Sequence, residues 1–211
     1  SVTMTPGFAT LWLIPRLASF TAAHPNVDVR LSATLEVLDL DRSQLDLAVR
    51  FCPISQGKGP PLFEEAVLPV CSPTLLTNRA NPLKKPADLA NHTLLAIDMP
   101  AGMALTGDWE PWLKLIGLTE VRPKSTLRFA QYSDAIAAAV AGQGVVIGRF
   151  PLLNELLRDK RLVTPFKGGA SSQRGYFVDM GAQAANNPHA QDFADWLRSE
   201  ARLAASVASP A

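Results

Sequence analysis

Cysteine, excess charge and long apolar runs are all scarce in this chain of 211 residues, and each scarcity excludes a class of protein. Two cysteines cannot build the disulfide framework of a small secreted domain, so we interpret Cys52 and Cys71 as free cytoplasmic thiols. A net charge of +1 argues against nucleic-acid binding by this segment, because such binders carry a marked basic excess. No apolar run reaches the roughly 18 residues of a membrane span, and no basic-then-apolar leader opens the chain. We therefore expect a cytoplasmic location, with neither membrane contact nor a signal peptide.

Catalytic and metal-binding motifs are equally scarce. The chain has no glycine-rich phosphate loop and no Gly-x-Ser-x-Gly elbow. His24, His92 and His189 lie far apart, without cysteine or carboxylate at metal-ligand spacing. Neither Cys52 nor Cys71 has an adjacent lysine or arginine that would favour a reactive thiolate, although a redox pair stays an alternative. We expect no cofactor, no metal and no enzymatic activity.

An alternation of strand and helix patterns runs through almost the whole chain, in which 47% of residues are apolar. Pro15 should kink the first helix, Ser133 and Asp134 should cap a later one, and Trp109 and Trp112 should pack into a core. This alternation predicts an α/β fold with largely parallel sheets covered on both faces. The predicted strands are residues 1–4, 27–33, 45–51, 62–71, 93–97, 124–129, 144–148, 162–166 and 175–180. The predicted helices are residues 8–24, a weakly helical stretch after residue 34, a turn that Ser72 caps, 86–89, 108–116, 135–141, 151–159 and 187–205.

Three segments combine a predicted strand end with a predicted helix start and a hydroxyl-bearing residue. They are the turn from Thr5 to Phe8, the segment from Thr34 to Glu36, and Gln131-Tyr132-Ser133. In open α/β sheets, ligands bind beyond the carboxyl ends of the strands, and helix N-termini favour carboxylates and other anions. Since no catalytic group accompanies these segments, they indicate binding rather than turnover.

Five motifs along the chain resemble the effector domain of LysR-type transcriptional regulators. The most extended is Thr5-Pro6-Gly7-Phe8-Ala9-x-x-Trp12-Leu13-Ile14-Pro15-Arg16-Leu17-x-x-Phe20. The others are Leu45-Asp46-Leu47-Ala48-Val49-Arg50, Leu68-Pro69-Val70-Cys71-Ser72-Pro73, Ala138-Ala139-x-x-Gly142-Gln143-Gly144-Val145 and Phe193-x-x-Trp196-Leu197. Their order and spacing cover essentially the whole chain, and they look most like the subgroup that includes the glycine-cleavage activator.

The resemblance implies two Rossmann-like lobes with a cleft between them, as in type II periplasmic binding proteins. Lobe I would take residues 1–70 and 168–211, and lobe II residues 71–167. A small, anionic metabolite would bind in the cleft and change the geometry of the lobes and of a homodimer or tetramer. DNA would be bound only through an absent N-terminal winged helix-turn-helix. Leu11, Trp12 and Leu13 in succession offer more apolar surface than one core-facing stripe needs, which favours dimerisation through the first helix.

The family's binding segments can be carried over residue by residue. They fall on Thr5, Pro6, Gly7, Phe8, Thr34, Gln131, Tyr132 and Ser133. Arg50 is a further candidate for an effector carboxylate, with a structural ion pair to Asp46 or Glu36 as the alternative. Two other functions stay open: a periplasmic solute-binding protein, and an enzyme on the same fold such as hydroxymethylbilane synthase. The latter would need a cofactor-bearing cysteine in an arginine-rich loop, which neither Cys52 nor Cys71 has.

Overall fold

The computed structural model describes residues 1–98 and 109–206, which form two compact units. Of the described residues, the first unit comprises 1–65 and 173–206, and the second unit comprises those from 66 to 172. The strands are β1 (Val2–Met4), β2 (Leu31–Ala33), β3 (Leu47–Pro53), β4 (Phe63–Cys71), β5 (Thr93–Ile97), β6 (Ser125–Phe129), β7 (Val145–Phe150) and β8 (Ala170–Met180). The α-helices are α1 (Pro6–Phe8), α2 (Leu17–Ala23), α3 (Pro73–Leu76), α4 (Trp109–Leu115), α5 (Tyr132–Val140), α6 (Asn154–Arg158) and α7 (Pro188–Ser206). Short 3-10 turns lie at Ile54–Gln56, Pro86–Asn91 and Ala182–Asn186.

The first unit has the strand order β2-β1-β3-β8. The strand β1 runs parallel to both of its neighbours, and its last residue, Met4, lies opposite Ala33 of β2 and Val49 of β3. The strand β8 runs antiparallel to β3. The carboxyl ends of β1 and β2 and the later part of β3 therefore lie at the same edge of this sheet.

The second unit has the strand order β4-β7-β5-β6. The strand β5 runs parallel to β7 and β6, whereas β4 runs antiparallel to β7. The prediction of α/β architecture is confirmed, and the strands are largely parallel, with β4 and β8 as the antiparallel members.

The first helical segment changes its winding around Pro15, as predicted. After α1, residues Ala9–Leu13 form a π-helical turn and Ile14–Arg16 a 3-10 turn before α2 begins. Proline has no N–H to donate, and its ring displaces the carbonyl one turn earlier, so the regular α-helical ladder breaks here. Trp12 and Leu13 are both fully buried. The interpretation that these two side chains are surplus surface for a dimer is therefore wrong.

Each unit has an aromatic core of its own. In the first unit Phe8 stacks on Trp12 and Tyr176, and Trp196 donates a hydrogen bond from Nε1 to Ser19 Oγ over 2.9 Å. In the second unit Trp109 meets Trp112 edge-on, and its Nε1 donates to the carbonyl of Leu95 over 3.0 Å. Trp109 and Trp112 are nearly completely buried, which confirms that they are core residues.

Several local predictions are wrong or only partly confirmed, among them the predicted strand over residues 27–33, of which only Leu31–Ala33 is a strand. Residues 162–166 are not a strand, and Val163 forms only an isolated bridge with Cys71. The helix α5 begins at Tyr132, earlier than Ser133 and Asp134 would allow as caps, and Gln131 is its N-cap residue. The stretch after Thr34 forms turns rather than a helix. The cap at Ser72 is confirmed, because its Oγ accepts a hydrogen bond from the Thr74 N–H.

Candidate functional site

Three of the predicted residues form a row across the parallel strands of the first unit. Thr34 follows β2, Thr5 follows β1, and Arg50 lies in β3, each one residue beyond the matched positions Ala33, Met4 and Val49. A hydrogen bond of 2.9 Å from the Thr34 N–H to the Met4 carbonyl fixes this register. Because neighbouring strands lie about 4.8 Å apart, the row is about 10 Å long.

A cavity of about 300 Å³ opens above this row. It is lined by Thr5, Thr34 and Arg50, by further strand residues, and by the loop that follows β3. Its polar and charged lining includes Thr3, Thr5, Thr34, Glu36, Arg50, Gln56, Lys58 and Asp179, and its apolar lining includes Met4, Leu35, Val37, Val49, Phe51, Phe177 and Val178. The volume is at the lower end of the range for small-molecule sites.

Arg50 is held by two contacts at the floor of the cavity. Its Nη2 donates to the carbonyl of Leu38 over 2.6 Å, and its Nε lies 3.6 Å from Oδ2 of Asp179 on β8. The predicted alternative partners, Asp46 and Glu36, are therefore wrong, and Asp179 is the partner. Lys58 also contacts Asp179, at 3.3 Å from Nζ to Oδ1, so one carboxylate is shared by two cations.

The Thr34 hydroxyl closes a tight turn. Its Oγ1 accepts a hydrogen bond of 3.1 Å from the backbone N–H of Glu36. Because the oxygen is the acceptor there, the hydroxyl proton stays available for a ligand. The Thr5 side chain makes no capping hydrogen bond to α1, although its carbonyl accepts from the Ala9 N–H at 3.0 Å.

One wall of the cavity is the loop after β3, which packs closely against the ring of Phe177. Gly57 and Lys58 line the cavity, and a Cβ on Gly57 would lie only 2.2 Å from the ring of Phe177. The backbone of Gly57 is extended, with φ −69° and ψ 144°, so its lack of a side chain serves close approach rather than an unusual turn.

Cys52 lines the same cavity, and this placement was missed in the sequence. Side chains two residues apart in a strand share a face, so Cys52 lies on the same side of β3 as Arg50. Burial raises the pKa of Cys52, and nearby Arg174 and Arg50 only partly oppose that rise. Burial alone raises the pKa of Cys71, in the second unit, to about 12. Both residues are free thiols and stay protonated at neutral pH, because burial outweighs the guanidinium groups near Cys52.

The other residues of the first predicted segment lie beside this cavity rather than in its lining. Pro6 and Gly7 form the first turn of α1, and Phe8 is fully buried in the aromatic core. Contact with the effector stays a prediction for all three residues.

The third predicted segment belongs to the second unit and starts α5. The hydroxyl of Tyr132 donates to the Ile147 carbonyl at 3.1 Å and accepts from the Arg149 N–H at 2.9 Å, and the Arg149 guanidinium lies over its ring. This hydroxyl is thus engaged within the second unit. Gln131 is exposed and Ser133 is half-buried, and contact of these three residues with an effector stays a prediction.

Metal-binding clusters and membrane-spanning helices are both absent from the described part of the chain. Within residues 1–98 and 109–206, no group of three or more histidine, cysteine, aspartate or glutamate side chains is arranged to hold a metal ion. In the same residues, every helix is too short or too polar to cross a membrane.

Comparison with known proteins gives one family for the whole site-bearing region. The chain is 32% identical over 206 residues to the glycine cleavage system transcriptional activator of Escherichia coli K12. The aligned region covers 95% of this chain and 64% of that protein. It is 30% identical over 198 residues to the transcriptional activator AmpR of Rhodobacter capsulatus, covering 90% of this chain and 62% of that protein. The chain therefore spans somewhat less than two thirds of the length of these relatives.

Solved structures give the same result. The effector domain of AmpR from Pseudomonas aeruginosa matches with a TM-score of 0.71 and 27% identity, over 96% of this chain and 94% of that one. Such effector domains have the type II periplasmic-binding-protein fold, in agreement with the predicted fold class. The family model described as the LysR substrate binding domain matches residues 1–202. The chain belongs to the LysR substrate-binding domain family.

Proposed function

We propose that this domain senses a small metabolite with a carboxylate and is the effector-binding part of a longer, cytoplasmic transcriptional regulator. The observation that carries the proposal is the row of Thr34, Thr5 and Arg50 beneath a 300 Å³ cavity. Two hydroxyl donors and a guanidinium with unused N–H groups suit a carboxylate, because hydrogen bonds to charged acceptors are the strongest. The named relatives support regulation of transcription, since they are transcriptional activators rather than enzymes.

A ligand screen by thermal shift on this domain tests the binding half of the proposal. A carboxylate present at 100 times its Kd should raise the unfolding free energy by about 2.7 kcal/mol. Thr34→Ala should weaken binding of the carboxylate identified in the screen by about 1–3 kcal/mol, because a charge-assisted hydrogen bond is lost. Ser133→Ala in the same assay tests the prediction that the second unit contributes a donor. Failure of every carboxylate to bind, or full affinity in Thr34→Ala, would contradict the proposed site.

The regulatory part of the proposal is that DNA is recognised by a segment outside this domain. A net charge of +1 is small for a DNA-binding surface, so this domain alone should not retain DNA in a sequence-specific manner. The full-length regulator, with the N-terminal winged helix-turn-helix that the family implies, should do so. A gel shift with both proteins on the DNA upstream of the regulator's gene is the measurement, and specific retention by this domain would overturn the assignment.

Dimerisation, or assembly to a tetramer, is part of the same proposal. In a twofold dimer, effector binding could change the arrangement of the two subunits. The ligand could shift the equilibrium between two such arrangements only by binding one of them more tightly than the other. Sedimentation at micromolar concentration should show a dimer of this domain. The exposed Ile14 on the first helical segment is the side chain to replace with glutamate as a test of the contact.

A further inference from the structure

The charged side chains that line the cavity divide into two groups of opposite character. On one side Arg50 and Lys58 share the single carboxylate of Asp179, which leaves an excess of one positive charge. On the other side stands Glu36. Among the described residues its carboxylate has no hydrogen-bond or ion-pair partner, and only its backbone N–H is engaged, with Thr34.

The strand order separates these two groups in space. Glu36 follows β2 at one side of the first unit's sheet, whereas Arg50 and Asp179 lie on β3 and β8 at the other side. One strand, β1, lies between β2 and β3 and carries the Thr5 hydroxyl between the two groups. At about 4.8 Å per strand the charge reverses over about 10 Å, a span that one small molecule can bridge with the help of the intervening side chains.

The tight turn at Thr34 gives the negative side a fixed position. Because the Glu36 N–H bonds to Thr34 Oγ1, the Glu36 backbone is folded back against the residue whose hydroxyl ends the β2 side of the row. The Thr34 N–H is in turn bonded to Met4, so this turn is anchored to the sheet. A ligand bound on the two hydroxyls therefore lies within reach of Glu36.

The effector's charge and size follow from this arrangement, and the inference rests on the proposed carboxylate site. We propose that the ligand is an amino acid: its carboxylate binds Thr5, Thr34 and Arg50, and Glu36 selects its ammonium group. A carboxylate ligand without an amine would leave the Glu36 carboxylate without a positive group to pair with. The apolar lining by Val37, Phe51 and Phe177, with a volume of about 300 Å³, suits a side chain of medium size.

Matched probes separate this inference from the proposed function. Calorimetric titration should compare L-leucine with 4-methylpentanoate, which lacks the amine, and with 3-methylbutylamine, which lacks the carboxylate; L-methionine and L-phenylalanine, each with its deaminated acid, extend the set. We expect one or more of the amino acids to bind and their deaminated acids to bind at least about tenfold more weakly, as expected for a lost charge-assisted contact. Binding of the acids at equal strength would overturn the amino-acid inference and leave the carboxylate site standing. If neither the amino acids nor the deaminated acids bind, the result would count against both the amino-acid inference and the proposed carboxylate site.

A variant of Glu36 gives the second test. Glu36→Gln should reduce affinity for the amino acid by about tenfold or more while leaving the deaminated acid unchanged or improved, because only the ammonium loses a partner. Glu64→Gln is the matched control, since Glu64 is an exposed glutamate that does not line the cavity. Glu36 is itself exposed, so the apo variant should unfold at the temperature of the parent protein. Unchanged amino-acid affinity in Glu36→Gln would contradict the assignment.

Discussion

The two units place polar groups at comparable strand ends and use them in opposite ways. In the first unit Thr5, Thr34 and Glu36 end their strands with hydrogen-bonding capacity left over. In the second unit the Tyr132 hydroxyl, at the start of α5, is a donor and an acceptor to β7 at once. The difference shows that position at a strand end does not by itself make a binding group; what counts is whether the structure already satisfies it.

The largest effect should come from adding one methyl group to the wall of the first unit's cavity. In Gly57→Ala the new Cβ would lie 2.2 Å from the ring of Phe177, which is nearly completely buried. We expect a loss of about 1–3 kcal/mol in the free energy of unfolding, and weaker ligand binding, because the loop or the ring must shift. Denaturant unfolding measures the loss. Gly169→Ala is the control, because a Cβ there has a normal contact at 3.7 Å, and equal stability of the two variants would contradict the close approach.

A smaller effect is expected where the second unit loses its satisfied hydroxyl. Tyr132→Phe removes two hydrogen bonds and leaves the Arg149 N–H without that acceptor, so unfolding should cost about 1–2 kcal/mol less. Chemical denaturation of the purified variant is the measurement. Full stability with impaired ligand binding would break the comparison, because it would make Tyr132 a binding residue like Thr5.

The second unit should also respond to pH through a buried histidine. Burial lowers the pKa of His92 below its ordinary value of 6.5, and Nε2 has no hydrogen-bond partner within the described residues. The unfolded chain therefore binds a proton more readily, so stability is full above about pH 6.5, falls as the pH drops below that value, and levels off below the lowered pKa. Melting temperatures of the parent and His92→Gln between pH 7.5 and 5.5 test this. The exposed His189→Gln is the control, and an identical acid response in all three proteins would contradict it.

The smallest effect on stability is expected at the hydroxyls of the first unit. Thr5→Ala should change the free energy of unfolding by no more than about 0.5 kcal/mol, because the Thr5 side chain makes no capping hydrogen bond. Thr34→Ala should cost about 0.5–1 kcal/mol, because it removes only the exposed hydrogen bond from the Glu36 N–H. The same variants should bind a carboxylate ligand less tightly. A loss of stability as large as that of Tyr132→Phe would erase the contrast between the two units.

Much of the fold could be predicted because its patterns are local. The strand at Thr93–Ile97, the Ser72 cap and the end of α5 at Gly142, where φ is +77°, follow from short-range periodicity and turn chemistry. The prediction of a strand over residues 162–166 is wrong, because this apolar segment forms only one isolated bridge, between Val163 and Cys71.

The candidate site could be predicted only in part. Thr5 and Thr34 were predicted because parallel strands bring their carboxyl ends to one edge, and Arg50 was predicted as a partner for an effector carboxylate. Glu36 lies in the predicted segment from Thr34 but was not singled out, and Gly57, Lys58 and Asp179 were not predicted as site residues. Asp179 meets Arg50 through β8, more than 120 residues further along the chain. No local pattern encodes such a contact, although the shared face of Arg50 and Cys52 could have been inferred from strand geometry alone.

The four tryptophans divide equally between the units, which gives this domain a built-in optical readout. Trp12 and Trp196 belong to the first unit, and Trp109 and Trp112 to the second. Trp12 is stacked on Phe8, three residues from Thr5, whereas Trp196 is partly exposed. Replacing Trp109 and Trp112 by phenylalanine would leave tryptophan fluorescence that reports the first unit alone. Comparison with the parent spectrum during unfolding would then show in which order the two halves of the molecule melt.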